Sequence, residues 1–301
     1  MVRVEPECYP CFLDQVLKAC VLGGADPRTT AACLRKASAM ISRVSEDDVP
    51  ARAASALHEM IREIAGLDDP FNELKERAID RFQELYELAR GRVDSSSERL
   101  KVALELSGVG NMFDYGIVTE EEAEEFLNNF ESAAGNGFDY EGFVSTLEKA
   151  VSVGMLLDNT GEVPFDLVLA EILRDMGKEV WLGVKGGPVI DDLTIEEARR
   201  LGLTDRFEVI SNGSRGVGTL LEESSEEFRR KISESDLVLS KGQANFETLW
   251  GHLPNCAFLF VVKCPVIERI TGFPRGTVLL KGSWSAREGE GDRGQAIRGI
   301  F

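Results

Sequence analysis

The sequence predicts an α/β protein, with a mostly parallel sheet carrying helices on both faces and a helical region ahead of it. Three observations carry this. After about residue 150, short apolar runs alternate with segments of helical period. Before about residue 135 the periodic segments are all helical. Each later apolar run is followed by polar, glycine-bearing residues, where a parallel strand would reach the ligand-binding edge of its sheet. The expected division is a helical N-terminal region over 1–150 and an α/β domain over 151–301.

The chain opens with a lone C-x-x-C, Cys8-Tyr9-Pro10-Cys11. A zinc-ribbon site needs a second such pair, and Cys20 with Cys33 is too widely spaced to supply it. A thioredoxin-like pair would follow a strand, and none precedes this one. A helix does follow, because Phe12, Val16 and Leu17 share a face. Packing is therefore the first reading, with redox or metal binding as alternatives. Thr29 or Thr30 is expected to cap a helix reaching Val44, and Asp47 or Asp48 one beginning near Pro50. Pro70-Phe71-Asn72 opens a long helix to Arg90, with Ile79, Phe82, Leu85 and Leu88 as its buried stripe and Glu73, Lys75, Glu76 and Arg77 on other faces. Ser97 to Leu106 continues the pattern, and Gly108-Val109-Gly110-Asn111 is expected to break it. Thr119 to Glu125 reads as a solvated acidic first turn. Ala133 to Gly137 reads as a turn, followed by a short helix from Tyr140 to Ala150.

Expected strands then run Ser152 to Leu157, Glu179 to Val184, Phe207 to Ile210, Leu237 to Leu239, Ala257 to Val262 and Thr277 to Leu280. Helices between them are Phe165 to Met176, Ile195 to Leu201, Gly218 to Ser233, Phe246 to Leu253 and Val266 to Ile270. Ser283 to Phe301 is rich in glycine and charge and reads as a loosely ordered tail.

Charge narrows the function classes. A formal net charge of -18 repels polyanions, so a nucleic-acid partner is not expected. A small phosphorylated ligand remains compatible, because one bound cation reverses the local sign. No run of about 18 apolar residues is present, so no membrane span is expected. The acidic opening, Met1 to Glu7, lacks the apolar core of a secretory signal, and a cytoplasmic location is expected. Six scattered cysteines do not suggest a disulfide scaffold. Cys20, Cys33 and Cys256 read as small buried hydrophobes.

The residues just after the strands form a consistent set. They are Asp158-Asn159, then Lys185-Gly186-Gly187-Pro188 with Asp191-Asp192 beyond, Ser211-Asn212-Gly213-Ser214, Ser240-Lys241-Gly242, and Lys263-Cys264-Pro265. Parallel strands bring these ends to one edge. Acids for a hard cation, lysines for phosphoryl oxygens, and Gly or Ser for close backbone approach would meet in one cleft. Each piece alone is also a turn former, and only the combination of two acid clusters with three lysines singles out a metal-plus-phosphate site.

Asp158-Asn159-Thr160-Gly161-Glu162, Val189-Ile190-Asp191-Asp192-Leu193-Thr194 and Ser240-Lys241-Gly242-Gln243-Ala244-Asn245-Phe246-Glu247 together resemble the damage-control phosphatases, metal-dependent enzymes once catalogued as a domain of unknown function. The resemblance runs from Cys8-x-x-Cys11 to Lys263-Cys264-Pro265. It implies a helical region packed on a three-layer α/β/α sandwich, and hydrolysis of small phosphate monoesters, sugar phosphates or damaged phosphometabolites, with magnesium, manganese, cobalt or nickel. By motif the metal ligands would be Asp158, Asn159 and Asp192, with Asp191 standing where relatives often carry Asn. Lys241 would hold the phosphate, Ser211, Asn212, Ser240, Asn245 and Lys263 would contact the substrate, and Glu162 would orient water or substrate.

The expected reaction is in-line attack of cation-activated water on the ester, with Lys241 balancing equatorial charge. Direct attack by Asp158 is the lesser route, because the residue two beyond it is Thr160 rather than a second Asp. Two rivals are a Rossmann-like carboxyl methyltransferase, which would want more glycines than Gly161 in this turn, and a non-catalytic phosphometabolite-binding protein.

Overall fold

In a computed structural model of the chain, which describes residues 1–110 and 135–282, one sheet organises the fold. Its strands are β1 (Ser152–Leu156), β2 (Glu179–Val184), β3 (Glu208–Ser211), β4 (Leu237–Lys241), β5 (Cys256–Val261) and β6 (Val278–Gly282). They lie in the order β3-β2-β1-β4-β5-β6. All neighbours pair parallel except β6, which runs antiparallel to β5. Every residue of β4 and β5 is buried, which explains why 237–239 of β4 and all of β5 read as unbroken apolar runs rather than alternations. The strand order reverses between β1 and β4. In an open parallel sheet a crevice opens at that point beyond the carboxyl ends of the strands.

The helices are α1 (Cys8–Leu22), α2 (Pro27–Ile41), α3 (Pro50–Ala65), α4 (Asn72–Asp80), α5 (Phe82–Asp94), α6 (Arg99–Gly110), α7 (Tyr140–Leu147), α8 (Val163–Asp175), α9 (Ile195–Arg200), α10 (Glu226–Glu234), α11 (Gln243–Leu249) and α12 (Pro265–Thr271). They form a layer on each side of the sheet. Val153, Met155, Leu239 and Leu259 face Ala89 of α5, Leu104 of α6, Phe143 of α7 and Leu169 of α8. Trp181, Val238, Phe258 and Phe260 face the other way, onto Phe12 of α1, Leu57 of α3, Phe246 of α11 and Ile267 of α12. Both apolar cores thus combine helices from the first 110 residues with strands from beyond residue 150. The alternation of side chains along each strand decides which core a residue joins. Among the described residues no helix is long and apolar enough to cross a membrane.

Several local expectations are corrected. Asp26, not Thr29 or Thr30, caps α2: its Oδ1 accepts from Arg28 N at 2.8 Å and Thr29 N at 3.2 Å, and the helix ends at Ile41 rather than Val44. Pro27 at the first position fixes the helix start one turn earlier. At α3 the N-cap is Val49, without a side-chain bond, and Asp48 instead accepts from Ser45 N. The long helix to Arg90 is two, broken at Arg81, where the backbone turns to φ −93°, ψ −3°. Lys75 is buried rather than on a solvated face. Gly108 and Gly110 continue α6 instead of ending it. A Cβ at Gly108 would come within 2.5 Å of Val278 Cγ1, and one at Gly110 within 2.7 Å of Phe165 Cδ2, so both glycines serve close packing. The helix expected from Gly218 starts only at Glu226, β4 extends to Lys241, and α11 begins at Gln243. The acidic turn Thr119 to Glu125, Asn111, Ala133, Ala134 and the tail from Ser283 lie outside the described residues.

Candidate functional site

Beyond β1 the chain turns through Asp158-Asn159 into a 3-10 turn, Thr160–Glu162, and then α8. A reciprocal cap shapes this turn: the Asn159 side chain accepts from Glu162 N, and Glu162 Oε1 accepts from Asn159 N at 2.9 Å. The loop after β2 is stitched across it. Thr160 N donates to Asp191 O at 2.9 Å, Leu193 N donates to Asp158 O at 2.7 Å, and Asn159 pairs with Asp192 as an antiparallel bridge. Three backbone links therefore bring Asp158, Asn159, Asp191 and Asp192 together although some thirty positions separate them. Ile190, just before the acids, has φ 44°, a conformation that costs a β-branched residue about 1–3 kcal/mol. Strain of that size persists only where surrounding contacts hold it.

The acids are buried. Burial pushes the Asp158 carboxyl well above the ordinary range, and Asp192 and Glu162 push the same way, against Lys263 and Lys185. Asp192 is pushed up to about 6, first by burial and then by Asp191, against the pull of Lys185. Lys185 Nζ lies 3.3 Å from Asp192 Oδ2 and also donates to Gly216 O at 2.9 Å and to Gly218 O. Buried carboxylates held this close raise one another, and an added positive charge between them would relieve that repulsion.

Behind this pole lies a second charged layer. Lys241 Nζ donates to Glu162 Oε2 and Asp166 Oδ1, each at 2.6 Å, and to Ser107 O at 3.0 Å. Ser107 Oγ also donates to Asp166 Oδ1 at 2.6 Å. The two carboxylates hold the Lys241 ammonium well above its ordinary range despite burial. Burial pushes Asp166 up to about 6, against the pull of Lys241. Gly242, at φ 80°, passes so close to the Asp158 carboxylate that no Cβ fits.

A cleft of about 930 Å³ opens onto the pole, lined by Asp158, Asn159, Asp191, Asp192 and Lys263 together with residues of α1, α3 and α11. The other sequence-derived candidates sit elsewhere. Glu162 and Lys241 form the layer just described. Asn212 Oδ1 accepts from Gly186 N at 3.0 Å and Ser214 N at 2.9 Å, tying the β2 and β3 loops together. Ser211 Oγ accepts from Gly213 N. Asn245 Nδ2 donates to Lys241 O at 2.8 Å, and its Oδ1 accepts from Thr219 Oγ1 at 2.8 Å. Ser240 Oγ is buried without a hydrogen-bond partner among the described residues. Lys263 is exposed at the cleft rim, and its backbone N donates to Gln243 Oε1.

Sequence reading left Asp166, Ser107 and Lys75 out of the site. Asp166 carried a signal, since it lies four residues beyond Glu162 and so on the same helical face. Lys75 Nζ lies 2.5 Å from Asp69 Oδ2 and 2.6 Å from Glu197 Oε1, and Glu197 Oε2 accepts from Thr194 N at 3.0 Å beside the acid pair. Nothing in the local pattern marks this lysine: Asp69 is near in sequence but lies outside the helix spacing that would flag a pair, and the other partner, Glu197, is 122 positions away.

Hard oxygen donors of the Asp158, Asn159 and Asp192 side chains suit magnesium- or manganese-like cations. Among the described residues no three His, Cys, Asp or Glu side chains are gathered as a metal-ligand group.

A family model described as the damage-control phosphatase ARMT1-like domain matches residues 4–279. A protein of Archaeoglobus fulgidus named damage-control phosphatase is 32% identical over 291 residues, covering 93% of this chain and 99% of its own. One of Pyrococcus horikoshii, also named damage-control phosphatase, is 29% identical over 286 residues, covering 92% and 97%. The crystal structure of a DUF89 family protein from Pyrococcus horikoshii superposes with a TM-score of 0.84 at 28% identity, over 94% of this chain and all of that one.

Proposed function

Because the chain belongs to the damage-control phosphatase ARMT1-like domain family, whose named relatives are phosphatases, we propose that it is a divalent-metal-dependent phosphatase of small phosphate monoesters, sugar phosphates or damaged phosphometabolites. One observation carries the finer reading. At the reversal of strand order, backbone links bring the Asp158-Asn159 turn against Asp192, at the floor of a cleft with Lys263 on its rim.

Asp158, Asn159 and Asp192 are the proposed metal ligands. A cation bound there supplies Lewis-acid polarisation of the phosphoryl oxygen and lowers the pKa of the attacking water. The chain's own residues do the rest. Lys263 meets the phosphate dianion at the rim. Lys241, its ammonium already between Glu162 and Asp166, is assigned to setting Glu162 rather than to the phosphate. Glu162 in turn fixes Asn159 through the reciprocal cap. Gly242 lets the β4 loop pass beside Asp158. The cleft walls include apolar side chains such as Phe12 and Val266, which exclude water from the reacting bond.

The test is turnover of a panel of phosphate esters with Mg, Mn, Co or Ni, repeated with Asp158→Ala and Asp192→Ala. Metal-dependent turnover lost in both variants supports the assignment. Equal turnover with and without chelator, or full activity in either variant, overturns it.

A further inference from the structure

The cleft wall away from the acid pole holds one carboxyl that the proposed chemistry does not use. Glu247, on α11, lines the same cleft as Asp158 and Asp192. It is half-buried and pairs with no cation among the described residues. Its hydrogen bonding is directional. Gln243 Oε1 accepts from the backbone N of Lys263 at 2.8 Å, which fixes the amide so that its Nε2 donates to Glu247 Oε1 at 2.8 Å. Oε1 is thereby committed as an acceptor. Among the described residues Oε2 makes no hydrogen bond, which leaves it to carry a proton.

Thiols and charged side chains share the cleft with this carboxyl. Cys8 on α1 is held as a thiol, pushed up to about 11 by burial and by Glu247, Cys264 and Cys11. Cys264, at the start of α12, is also raised, chiefly by burial, and accepts from Gln243 Nε2 at 3.5 Å. Glu7, Lys18, Lys263 and Arg275 complete the charged lining. Burial pushes Glu247 up to about 7, against the Gln243 bond. A carboxyl near neutral pKa is matched to proton donation at neutral pH.

On the phosphatase reading above, we propose that Glu247 is the general acid for the leaving group. The water oxygen bonds to phosphorus as the ester P–O bond breaks. The Oε2 proton passes to the ester oxygen, which departs as the alcohol. The proton released by the water goes to solvent, from which Glu247 is protonated again, so monoester and water give alcohol and phosphate.

The test compares Glu247→Gln with wild type, Mn-loaded, on an alkyl phosphate and on nitrophenyl phosphate, whose leaving group needs no protonation. General acids contribute about 10²–10⁴-fold, so kcat/KM for the alkyl ester should fall by about 100-fold or more while the nitrophenyl ester loses little. The alkaline decline of the wild-type alkyl-ester profile, centred near pH 7, should disappear. An equal loss on both esters, or no loss, overturns the assignment while leaving the phosphatase reading intact. Wild type inactive on both esters overturns both. Should Glu247→Gln fail to fold, Glu247→Asp, which keeps a proton to donate, must retain the wild-type ratio of the two rates; a ratio shifted against the alkyl ester by as much as Gln would shift it overturns the role.

Discussion

Gly242 lies so close to Asp158 that a Cβ placed on it would overlap both oxygens of that carboxylate. The position also has φ 80°, which only glycine adopts without strain. Gly242→Ala therefore meets two penalties at once, about 1–3 kcal/mol of backbone strain and displacement of Asp158. The expected outcome is a lower melting temperature with at least about a 100-fold loss of kcat, since an ångström of misplacement costs that much. Steady-state kinetics beside a thermal melt check it, and an active variant would show that the Asp158 position tolerates movement.

Lys75 is buried between Asp69 and Glu197, whose other oxygen caps the turn after Asp192. Removing one partner of a buried ion pair leaves uncompensated charge and costs about 3–5 kcal/mol. Lys75→Met should lose that much in a urea titration. Adding Glu197→Gln should cost less than the sum of the single changes, because one of the two stranded carboxylates is then replaced by a neutral amide.

Metal binding should be visible without turnover. A ligand that binds only the folded chain stabilises it by about 2.7 kcal/mol at one hundred times its Kd. Manganese is expected to raise the melting temperature, EDTA to reverse the rise, and Asp158→Asn to remove it. A shift that survives in Asp158→Asn would place the cation elsewhere.

The pH dependence of stability has a defined sign. Asp166 is held up at about 6 and Glu247 at about 7, each chiefly by burial. Both lie above the ordinary carboxyl values near 4, so the folded chain keeps these protons where the unfolded chain has lost them. Stability is then fully present below about pH 4 for these two groups and falls as pH rises through 6 and 7. Melting curves of the metal-free protein from pH 5 to 8 should decline, and Glu247→Gln should flatten the upper part of that decline.

Much of the scaffold was legible because it rests on local pattern. The apolar runs marked all six strands, and the residues after β1 and β2 marked Asp158 and Asp192. The parallel order of the sheet brings those loops together, so the meeting of these two acids could be anticipated without coordinates. What stayed hidden depends on partners distant in sequence. Gly108 and Gly110 look like helix breakers until Val278 and Phe165 are seen against them. Lys75 looks solvated until Glu197 is placed beside it, and Lys241 looks available to a phosphate until Glu162 and Asp166 are found already holding it. Glu247 sits inside a motif noted for other residues, and only the cleft shows where it stands.

The cleft joins early and late parts of the chain: Phe12 and Ala51 line it together with Val262 and Gly276. A nascent chain must therefore carry its first helices, with their apolar faces uncovered, through the synthesis of more than 200 further residues. Pairings this distant are slow to form and leave surfaces open to aggregation meanwhile. Chaperone dependence during synthesis, and poor refolding from dilute denaturant in the test tube, are the expected consequences of building one pocket from both ends of a polypeptide.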